Sequence, residues 1–403
     1  YLRLDPPIPR MHRRTPEGVE RDIRERIFPR DWFHPTYEGG ADWQKALDRV
    51  NTAAARIARV VVHPDYRSEG FGALLVRVAL EWAKERGAPE ARREKHLVYT
   101  IAQMARYHPF FEKVGFRYLF DTASGRPVLF YPLTEEAEAH LERFLREDPY
   151  AKAHGGRLYK PRFGRVPGLP GPIRLAGVHK AYRSHLDLEG LSREVQEALL
   201  AFGVKARVVE RAVLRGASLE IPPGSLVVLA GASGAGKTTL LRLLLGEAPD
   251  AGEVAVPPGR RVAYIPGERE VDLGEAPILE AVYRRLKDVG AAIEVLNRVG
   301  LSDAVLYRAR PHELSTGQRE RFRLALLLAE RPDLLLIDEF AAHLDVPTAR
   351  RVALGLGKLC REAGVTLVAA THRPEVVAAL DPDLLVYVGY GGLTTVPRRG
   401  PRT

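Results

Sequence analysis

Apolar residues along the chain form short runs bounded by glycine, proline or charged residues. Such runs predict buried β-strands. In the second half of the chain they fall at residues 173–182, 225–230, 261–265, 333–337 and 365–370. Helices are predicted between them, for example at 192–202 and 239–245. Strands that alternate with helices in this way predict an α/β fold.

The first half of the chain shows the same two patterns in a less regular order. Strands are predicted at 56–62 and 96–101, and a strand pair within 117–133 that turns at Ser124-Gly125. Helices are predicted at 17–27, 71–86 and 135–146. The last of these helices would close a first domain over residues 1–150.

Residues 151–172 separate this domain from a second one over residues 173–403. The segment is rich in Gly and Pro and has no acidic residue. Its cations are Lys152, Arg157, Lys160, Arg162 and Arg165. Tyr159 and Phe163 lie among them, and basic residues interleaved with aromatics can follow a nucleic-acid backbone. A solvated, extended linker has the same composition, so both interpretations stay open.

The composition of the 403-residue chain narrows the classes of function. A hydrophobic content of 45% is enough for buried cores. No apolar run approaches the roughly 18 residues of a membrane helix, so no membrane span is expected. No signal-peptide pattern is present at the start, although Tyr1 in place of Met leaves open that residues precede it. The single cysteine, Cys360, favours a reducing, cytoplasmic location and excludes a cysteine-based zinc site.

The net charge points to an acidic partner. Lys and Arg outnumber Asp and Glu by 61 to 51, which gives a formal net charge of +10. Such a surplus fits nucleic acid, an acidic membrane surface or an acidic cofactor. Together with the basic linker, it favours nucleic acid as a partner.

Residues 231–238, Gly-Ala-Ser-Gly-Ala-Gly-Lys-Thr, match the phosphate-binding pattern G-x-x-x-x-G-K-[ST]. The predicted strand before them and helix after them are the context that this P-loop needs. Its glycines let successive backbone N–H groups point at a phosphate. Lys237 would reach the β- and γ-phosphates of ATP, and Thr238 would hold Mg²⁺. The other expected contacts are Gly231, Ser233, Gly234, Gly236 and Thr239.

Later motifs decide between the many P-loop families. Residues 314–318, Leu-Ser-Thr-Gly-Gln, closely resemble the L-S-G-G-Q signature of ATP-binding cassette (ABC) ATPases. The strand ending in Asp338-Glu339 resembles their Walker B motif, Asp345 their D-loop, and His372 their switch histidine. The motifs follow the order and spacing of that family, and the resemblance covers about residues 173–390.

The resemblance implies the catalytic roles. Asp338 would hold Mg²⁺ through water, and Glu339 would polarise the water that attacks the γ-phosphate. His372 would contact the γ-phosphate and position that water. We therefore expect an ATPase that uses ATP and Mg²⁺.

The resemblance also implies a second subunit. In the family, Ser315 and the Gly317 amide bind the γ-phosphate of the opposite protomer, and Gln318 and Asp345 belong to the same ATP-binding set. A complete site therefore implies a head-to-tail homodimer formed through ATP. Tyr182 would stack on adenine, or would serve ordinary packing at a strand end.

One position departs from the ABC pattern. The family usually has a glutamine after the strand at 261–265, where it senses Mg²⁺ and couples hydrolysis to a partner. This chain has Pro266-Gly267-Glu268. Glu268 could reach the metal, but Gly267 stands where glutamine is expected, so hydrolysis is expected and coupling to a partner is left in doubt.

The first domain resembles the GCN5-related N-acetyltransferases (GNAT) over about residues 50–135. Their acyl-CoA pyrophosphate loop, R/Q-x-x-G-x-G/A, is matched by Arg67, Gly70 and Gly72 between a strand and a helix. Residues 107–116 resemble the aromatic-x-K-x-G-F element of the family. The resemblance implies an α+β domain that binds acetyl-CoA through Val62 and this loop.

The GNAT pattern is incomplete in two places. No strand hairpin is evident in residues 1–50, so the front of the domain is expected to be abridged or to lie upstream. Phe111 stands where the family often has a tyrosine that acts as a general acid, and phenylalanine has no proton to donate. Tyr107 or His108 could replace it.

Three functions remain open. The first is an ATP-driven enzyme that acts on or near nucleic acid with its acetyltransferase domain. The second is a mechanical ABC ATPase of the repair or translation kind, whose first domain is a scaffold. The third is the ATPase subunit of a transporter, which the absent glutamine and the extra domain disfavour.

Overall fold

The computed structural model describes residues 1–8, 10–34, 51–63, 70–85, 93–186, 188–204, 207–258, 261–267, 272–389 and 392–398. The chain divides into two compact units, Tyr1–Arg162 and Phe163–Thr403. Among the described helices, none has the length and apolar character needed to cross a membrane.

The first unit is built on a five-stranded sheet. Its strands are β1 (Leu2–Asp5), β4 (Ala54–Val60), β5 (Leu97–Ile101), β6 (Arg117–Asp121) and β7 (Pro127–Pro132), in the order β1-β4-β5-β7-β6. A separate hairpin is formed by β2 (Arg13–Thr15) and β3 (Gly18–Glu20). The helices are α1 (Arg24–Ile27), α2 (Phe71–Glu85), α3 (Glu135–Glu147) and α4 (Pro149–His154). Apolar clusters that include Phe130 and Leu129, adjacent residues of β7, cover the two faces of the sheet.

The first unit corrects two expectations about the start of the chain. The helix predicted at 17–27 is wrong for its first half, because Gly18–Glu20 is a strand and α1 begins only at Arg24. The expectation that residues 1–50 contain no strand hairpin is also wrong, because β2 pairs with β3 in antiparallel fashion and β1 pairs with β4. The predicted helix at 71–86 and the strand pair within 117–133 are confirmed by α2, β6 and β7.

The second unit contains two sheets. The six-stranded sheet has the order β12-β13-β14-β10-β15-β16, and the three-stranded sheet has the order β11-β8-β9. The strands are β8 (Ile173–Leu186), β9 (Arg207–Ile221), β10 (Leu226–Ala230), β11 (Ala251–Ala255), β12 (Val262–Ile265), β13 (Leu334–Ile337), β14 (Thr366–Ala370), β15 (Leu384–Gly389) and β16 (Gly392–Pro397). The helices are α5 (Arg193–Ala201), α6 (Lys237–Leu244), α7 (Ile278–Leu286), α8 (Val289–Arg298), α9 (Thr316–Ala329), α10 (Val346–Ala363) and α11 (Pro374–Leu380).

Parallel pairing in the six-stranded sheet positions the candidate site. β13, β14 and β10 are parallel neighbours, and their residues are almost all buried. Strands covered on both faces read as continuous apolar runs, which is why the sequence pattern locates them. Because the carboxyl ends of parallel strands meet at one edge, the residues that follow β10, β13 and β14 come together there.

The segment before β8 packs into the second unit. Phe163 is 2% exposed and belongs to the same apolar cluster as Leu296 and Phe322. Its backbone N–H donates to Glu294, while the Arg331 guanidinium donates to its carbonyl oxygen. A fully solvated linker over 151–172 is therefore a wrong description of residue 163.

Candidate active site

The P-loop lies between β10 and α6, as its motif predicts. Gly231 has a φ of 150°, and a Cβ there would lie 2.2 Å from the Val388 carbonyl oxygen. Gly236, the N-cap of α6, has a φ of 112°, and a Cβ there would lie 2.5 Å from Val213. Only glycine fits at these two positions. The resulting turn leaves the N-terminus of α6 open toward an anion.

Lys237 folds back over the P-loop. Its Nζ donates to the carbonyl oxygens of Gly231 and Ala232, both at 2.8 Å. Burial lowers the pKa of Lys237, and the charges of Asp338 and Glu339 oppose that shift. The ammonium therefore lies within electrostatic reach of both acids that follow β13.

Two oxygen ligands suited to Mg²⁺ meet beside Lys237. The Thr238 hydroxyl donates to Asp338 Oδ2 at 2.7 Å, and Asp338 is buried. In the described part of the chain, no group of three or more His, Cys, Asp or Glu side chains could form a metal site of its own. A hydroxyl and one carboxylate fit Mg²⁺ that takes its other ligands from water and phosphate.

Glu339 lies directly over Gly267. A Cβ at Gly267 would lie 2.9 Å from Glu339 Oε2 and 3.0 Å from its Cδ and Cγ atoms. Glu339 also has a positive φ of 50°, a conformation that costs of the order of 1–3 kcal/mol outside glycine. Glycine in place of the expected glutamine thus leaves room for the Glu339 carboxylate. Glu268 lies outside the described residues.

The signature residues form the start of α9. Ser315 is the N-cap: its hydroxyl accepts from the Gln318 N–H, and the Gln318 side chain accepts from the Ser315 N–H. Gly317 lies in the first turn, where a Cβ would be 3.1 Å from Leu344. Ser315 is exposed, so this helix N-terminus faces solvent.

The D-loop and the switch residue are held by one arginine. Asp345 caps α10, and the N–H of Thr348 lowers the pKa of its carboxyl. Arg373, next to the exposed His372, donates to the carbonyl oxygens of Ala341 and Leu344. No motif identifies Arg373, which joins the residues after β14 to the loop after β13.

Two more side chains lie on the three-stranded sheet beside the P-loop. Tyr182 on β8 is half-buried, and its hydroxyl donates to Glu247 at 3.2 Å. Its cross-strand partner on β9 is Arg211, which sequence analysis missed. Of the two expected ATP contacts Ser233 and Thr239, Ser233 is exposed to solvent and Thr239 is buried within α6.

Only the last part of the proposed acyl-CoA loop, from Gly70 onward, lies among the described residues of the first unit. Arg67 lies outside the described residues. Gly70, with a φ of 88°, precedes α2, and a Cβ at Gly72 would lie 2.9 Å from the Phe110 ring and 3.7 Å from Val62. β4 and β5, the only parallel pair among the described strands of this sheet, lead to this point.

The candidate proton donors of this domain are restricted. Phe111 is 9% exposed and packs edge-on against Phe110 and Phe116, so it is a core residue. Burial lowers the pKa of His108 to about 4, and Lys113 adds to the shift. His108 is therefore uncharged near neutral pH and is a poor general acid. Tyr107, half-buried, remains as a candidate.

Comparison with known proteins identifies both halves of the chain. The family model for ABC transporters matches residues 214–342, and the model for acetyltransferase (GNAT) domains matches residues 38–118. The order of the two domains confirms the expected architecture.

Curated relatives match the second half. A zinc import ATP-binding protein, ZnuC, of Ruegeria pomeroyi is 34% identical over 198 residues, which are 48% of this chain and 75% of that protein. A lipoprotein-releasing system ATP-binding protein, LolD 1, of Rhodospirillum rubrum is 35% identical over 42% of this chain and 84% of its own length. For a methionine import ATP-binding protein, MetN, of Mesorhizobium japonicum, identity is 34% and the chain spans only 56% of its length.

Among solved structures, a dimeric bacterial ABC transporter cassette is 22% identical with a TM-score of 0.41, covering 57% of this chain and 99% of that chain. The motifs, the P-loop geometry and the curated relatives agree. The chain belongs to the ABC ATPase family, as an ATP-hydrolysing domain preceded by an acetyltransferase (GNAT) domain.

Proposed function

We propose that the protein hydrolyses ATP in a head-to-tail homodimer that holds two nucleotides. One observation carries the proposal. Lys237, Thr238, Asp338 and Glu339 gather at one edge of the sheet, whereas the N-terminus of α9 at Ser315 faces solvent. An exposed helix N-terminus is suited to a phosphate, and a second copy would present it to the P-loop.

The expected steps follow from these side chains. Lys237 leaves its two carbonyl partners for the β- and γ-phosphates, where a charged acceptor gives a stronger hydrogen bond. Thr238 and Asp338 hold Mg²⁺, which supplies charge neutralisation at the phosphates. Glu339 orients the attacking water and accepts its proton, and His372 positions the γ-phosphate.

Mixing two inactive variants tests the composite site. Lys237→Ala removes the phosphate cation and Ser315→Arg blocks the signature, so each variant alone should lack ATP hydrolysis. In a mixed dimer, one site combines the intact Lys237 of one copy with the intact Ser315 of the other. We expect hydrolysis to return in the mixture, and a mixture as inactive as its parents would contradict the shared site.

We further propose that the first domain binds acyl-CoA near Gly70. The approach of Val62 and Phe110 to Gly72 supports a loop that places backbone N–H groups at the start of α2. Gly70→Asp and Gly70→Asn share the same backbone cost, and no atom of the described residues lies within 4 Å of a Cβ at Gly70. In calorimetric titration with acetyl-CoA, the Asp variant should lose binding and the Asn variant should retain it. Equal affinities would refute a pyrophosphate at this loop.

Nucleic acid is the partner that we propose for the basic segment. Lys152, Arg157, Lys160 and Arg165 are exposed, but Phe163 is buried and cannot stack on a base. Binding would then rest on phosphate contacts and fall steeply with salt. Replacing these four cations with Gln should reduce the slope of log K against log salt for duplex DNA, and an unchanged slope would argue against this segment.

Two alternatives rest on specific observations. Buried Phe111 and uncharged His108 support a domain that binds acyl-CoA without transferring the acyl group. The names of the relatives, which refer to zinc and methionine import, favour a transporter subunit. Gly267 argues against transport because a glutamine there couples the family's ATPases to a membrane partner. Stable co-purification with a membrane protein would reverse that choice.

A further inference from the structure

Arg211 is a cation beside the P-loop that no motif contains. It lies on β9 directly opposite Tyr182 on β8, so the two side chains share one face of the sheet. Its Nη2 donates to the Gly234 carbonyl oxygen at 2.8 Å, and the residue is otherwise exposed. A Cβ at Gly234 would lie 3.1 Å from that nitrogen, so the guanidinium lies close against the loop.

Arg211 and Lys237 use the same kind of acceptor. Lys237 bonds the carbonyls of Gly231 and Ala232, and Arg211 bonds the carbonyl of Gly234. Neutral carbonyl oxygens are weaker acceptors for a cation than phosphate oxygens, which also match the planar fork of a guanidinium. Both cations are therefore placed to exchange a loop carbonyl for a phosphate oxygen when a nucleotide enters.

We propose that Arg211 binds the α-phosphate of the nucleotide. The proposal rests on the ATPase function given above. Tyr182 is the expected adenine contact, while Lys237 and Thr238 serve the β- and γ-phosphates. Arg211 lies between these two ends, as the cross-strand neighbour of Tyr182 and at Gly234 within the loop. Since ADP and ATP share the α-phosphate, Arg211 would strengthen the binding of both.

The alternative role for Arg211 is to brace the P-loop through the Gly234 carbonyl oxygen. Two substitutions separate the roles. Arg211→Gln keeps an N–H donor for the Gly234 carbonyl but loses the charge, whereas Arg211→Lys keeps the charge. The matched control is Arg183→Gln, one residue from Tyr182, because Arg183 is exposed and pairs with Glu210.

The experiment is equilibrium titration with fluorescent ADP and ATP analogues and Mg²⁺, with thermal melting to establish that each variant is folded. Arg211→Gln should raise Kd for both nucleotides by about 10- to 100-fold, the loss expected for a charge-assisted hydrogen bond. Arg211→Lys should recover most of that loss, and Arg183→Gln should bind as the wild type does. kcat at saturating ATP should change by less than about threefold, because the hydrolytic side chains are untouched.

Three outcomes decide the matter. Wild-type affinity in Arg211→Gln would overturn the proposal and leave a bracing role. A loss confined to ATP would also overturn it, because that would place Arg211 at the γ-phosphate. Failure of the wild-type protein to bind either nucleotide would instead overturn the ATPase function on which the proposal rests.

Discussion

Gly267 leaves space for the side chain of Glu339, the proposed catalytic base. Glu339 lies so close to Gly267 that a Cβ at position 267 would be only 2.9 Å from Glu339 Oε2. In the family that position usually carries a glutamine. The chain thus has no side chain at the point where its proposed base lies, and the two features are sterically compatible.

Gly267→Ala should lower kcat for ATP by about 10- to 100-fold, because a displacement of the order of 1 Å at a reacting group has that effect. Nucleotide affinity should be unchanged, because the three atoms nearest to a Cβ at residue 267 all belong to Glu339. Steady-state hydrolysis and a nucleotide titration measure the two quantities. Gly171→Ala is the control, because a Cβ there meets no atom within 4 Å. A kcat equal to that of the control would mean that Glu339 does not act from this position.

His108 should leave a signature in the pH dependence of stability. Burial lowers its pKa from 6.5 to about 4, so between these values the unfolded chain binds a proton that the folded chain does not. The contribution of the neutral His108 imidazole to the free energy of unfolding is fully present above about pH 6.5 and is lost as the pH falls toward 4. Relative to His108→Gln, the wild type should lose up to about 1.4 kcal/mol per pH unit across that window.

Urea unfolding of both proteins at several pH values between 4 and 7 tests this expectation. The difference between the two free energies of unfolding removes the contribution of carboxylates that titrate in the same range. Parallel curves would show that His108 has the same pKa in the folded and unfolded chains, and it would then return as a candidate acid.

The segment before β8 has the sequence pattern of a solvated linker but contains buried residues. Its glycines, prolines and cations are typical of a linker, yet Phe163, Val166 and Leu169 are all less than 9% exposed. The Gly168 N–H donates to Asp333, and Arg331 donates to the carbonyls of Phe163 and Arg165. These contacts join residues about 165 positions apart, so no local pattern could reveal them.

Phe163→Ala should destabilise the folded chain by about 3–5 kcal/mol, the cost of emptying a buried phenylalanine site. Phe202→Ala is the matched control, since Phe202 is 86% exposed, and it should change stability by less than about 0.5 kcal/mol. Chemical unfolding followed by circular dichroism compares the two. Equal stabilities would place Phe163 outside the core.

Other elements were predictable for clear physical reasons. β10, β13 and β14 are buried on both faces, and their continuous apolar runs were recognised from the sequence alone. The P-loop follows β10, the Walker B residues follow β13, and the signature residues form the start of α9. The pairing of Arg211 with Tyr182 could not be predicted by counting residues along the two strands. The β8–β9 register shifts three times before it reaches Tyr182.

At the scale of the whole chain, the resemblance to known proteins is stronger for the ABC domain than for the GNAT domain. The zinc importer and the lipoprotein system each match less than half of the chain. The GNAT match ends at residue 118 and includes residues that lack a described structure. The ATPase half therefore supports the stronger functional argument.

The proposed ATP-formed dimer unites these observations. Ser315 at the exposed start of α9, the P-loop edge and the capped D-loop would each be only half of a site in one copy. Binding of ATP without hydrolysis should then hold two copies together. Glu339→Gln removes the proposed base while leaving Lys237, Thr238 and Asp338 to bind the nucleotide.

The most direct test is the molar mass of Glu339→Gln by light scattering, with and without saturating ATP and Mg²⁺. We predict a monomer without nucleotide, a dimer with ATP, and a monomer with ATP when Ser315→Arg is added to the same chain. A Glu339→Gln protein that binds ATP and remains monomeric would contradict the composite site.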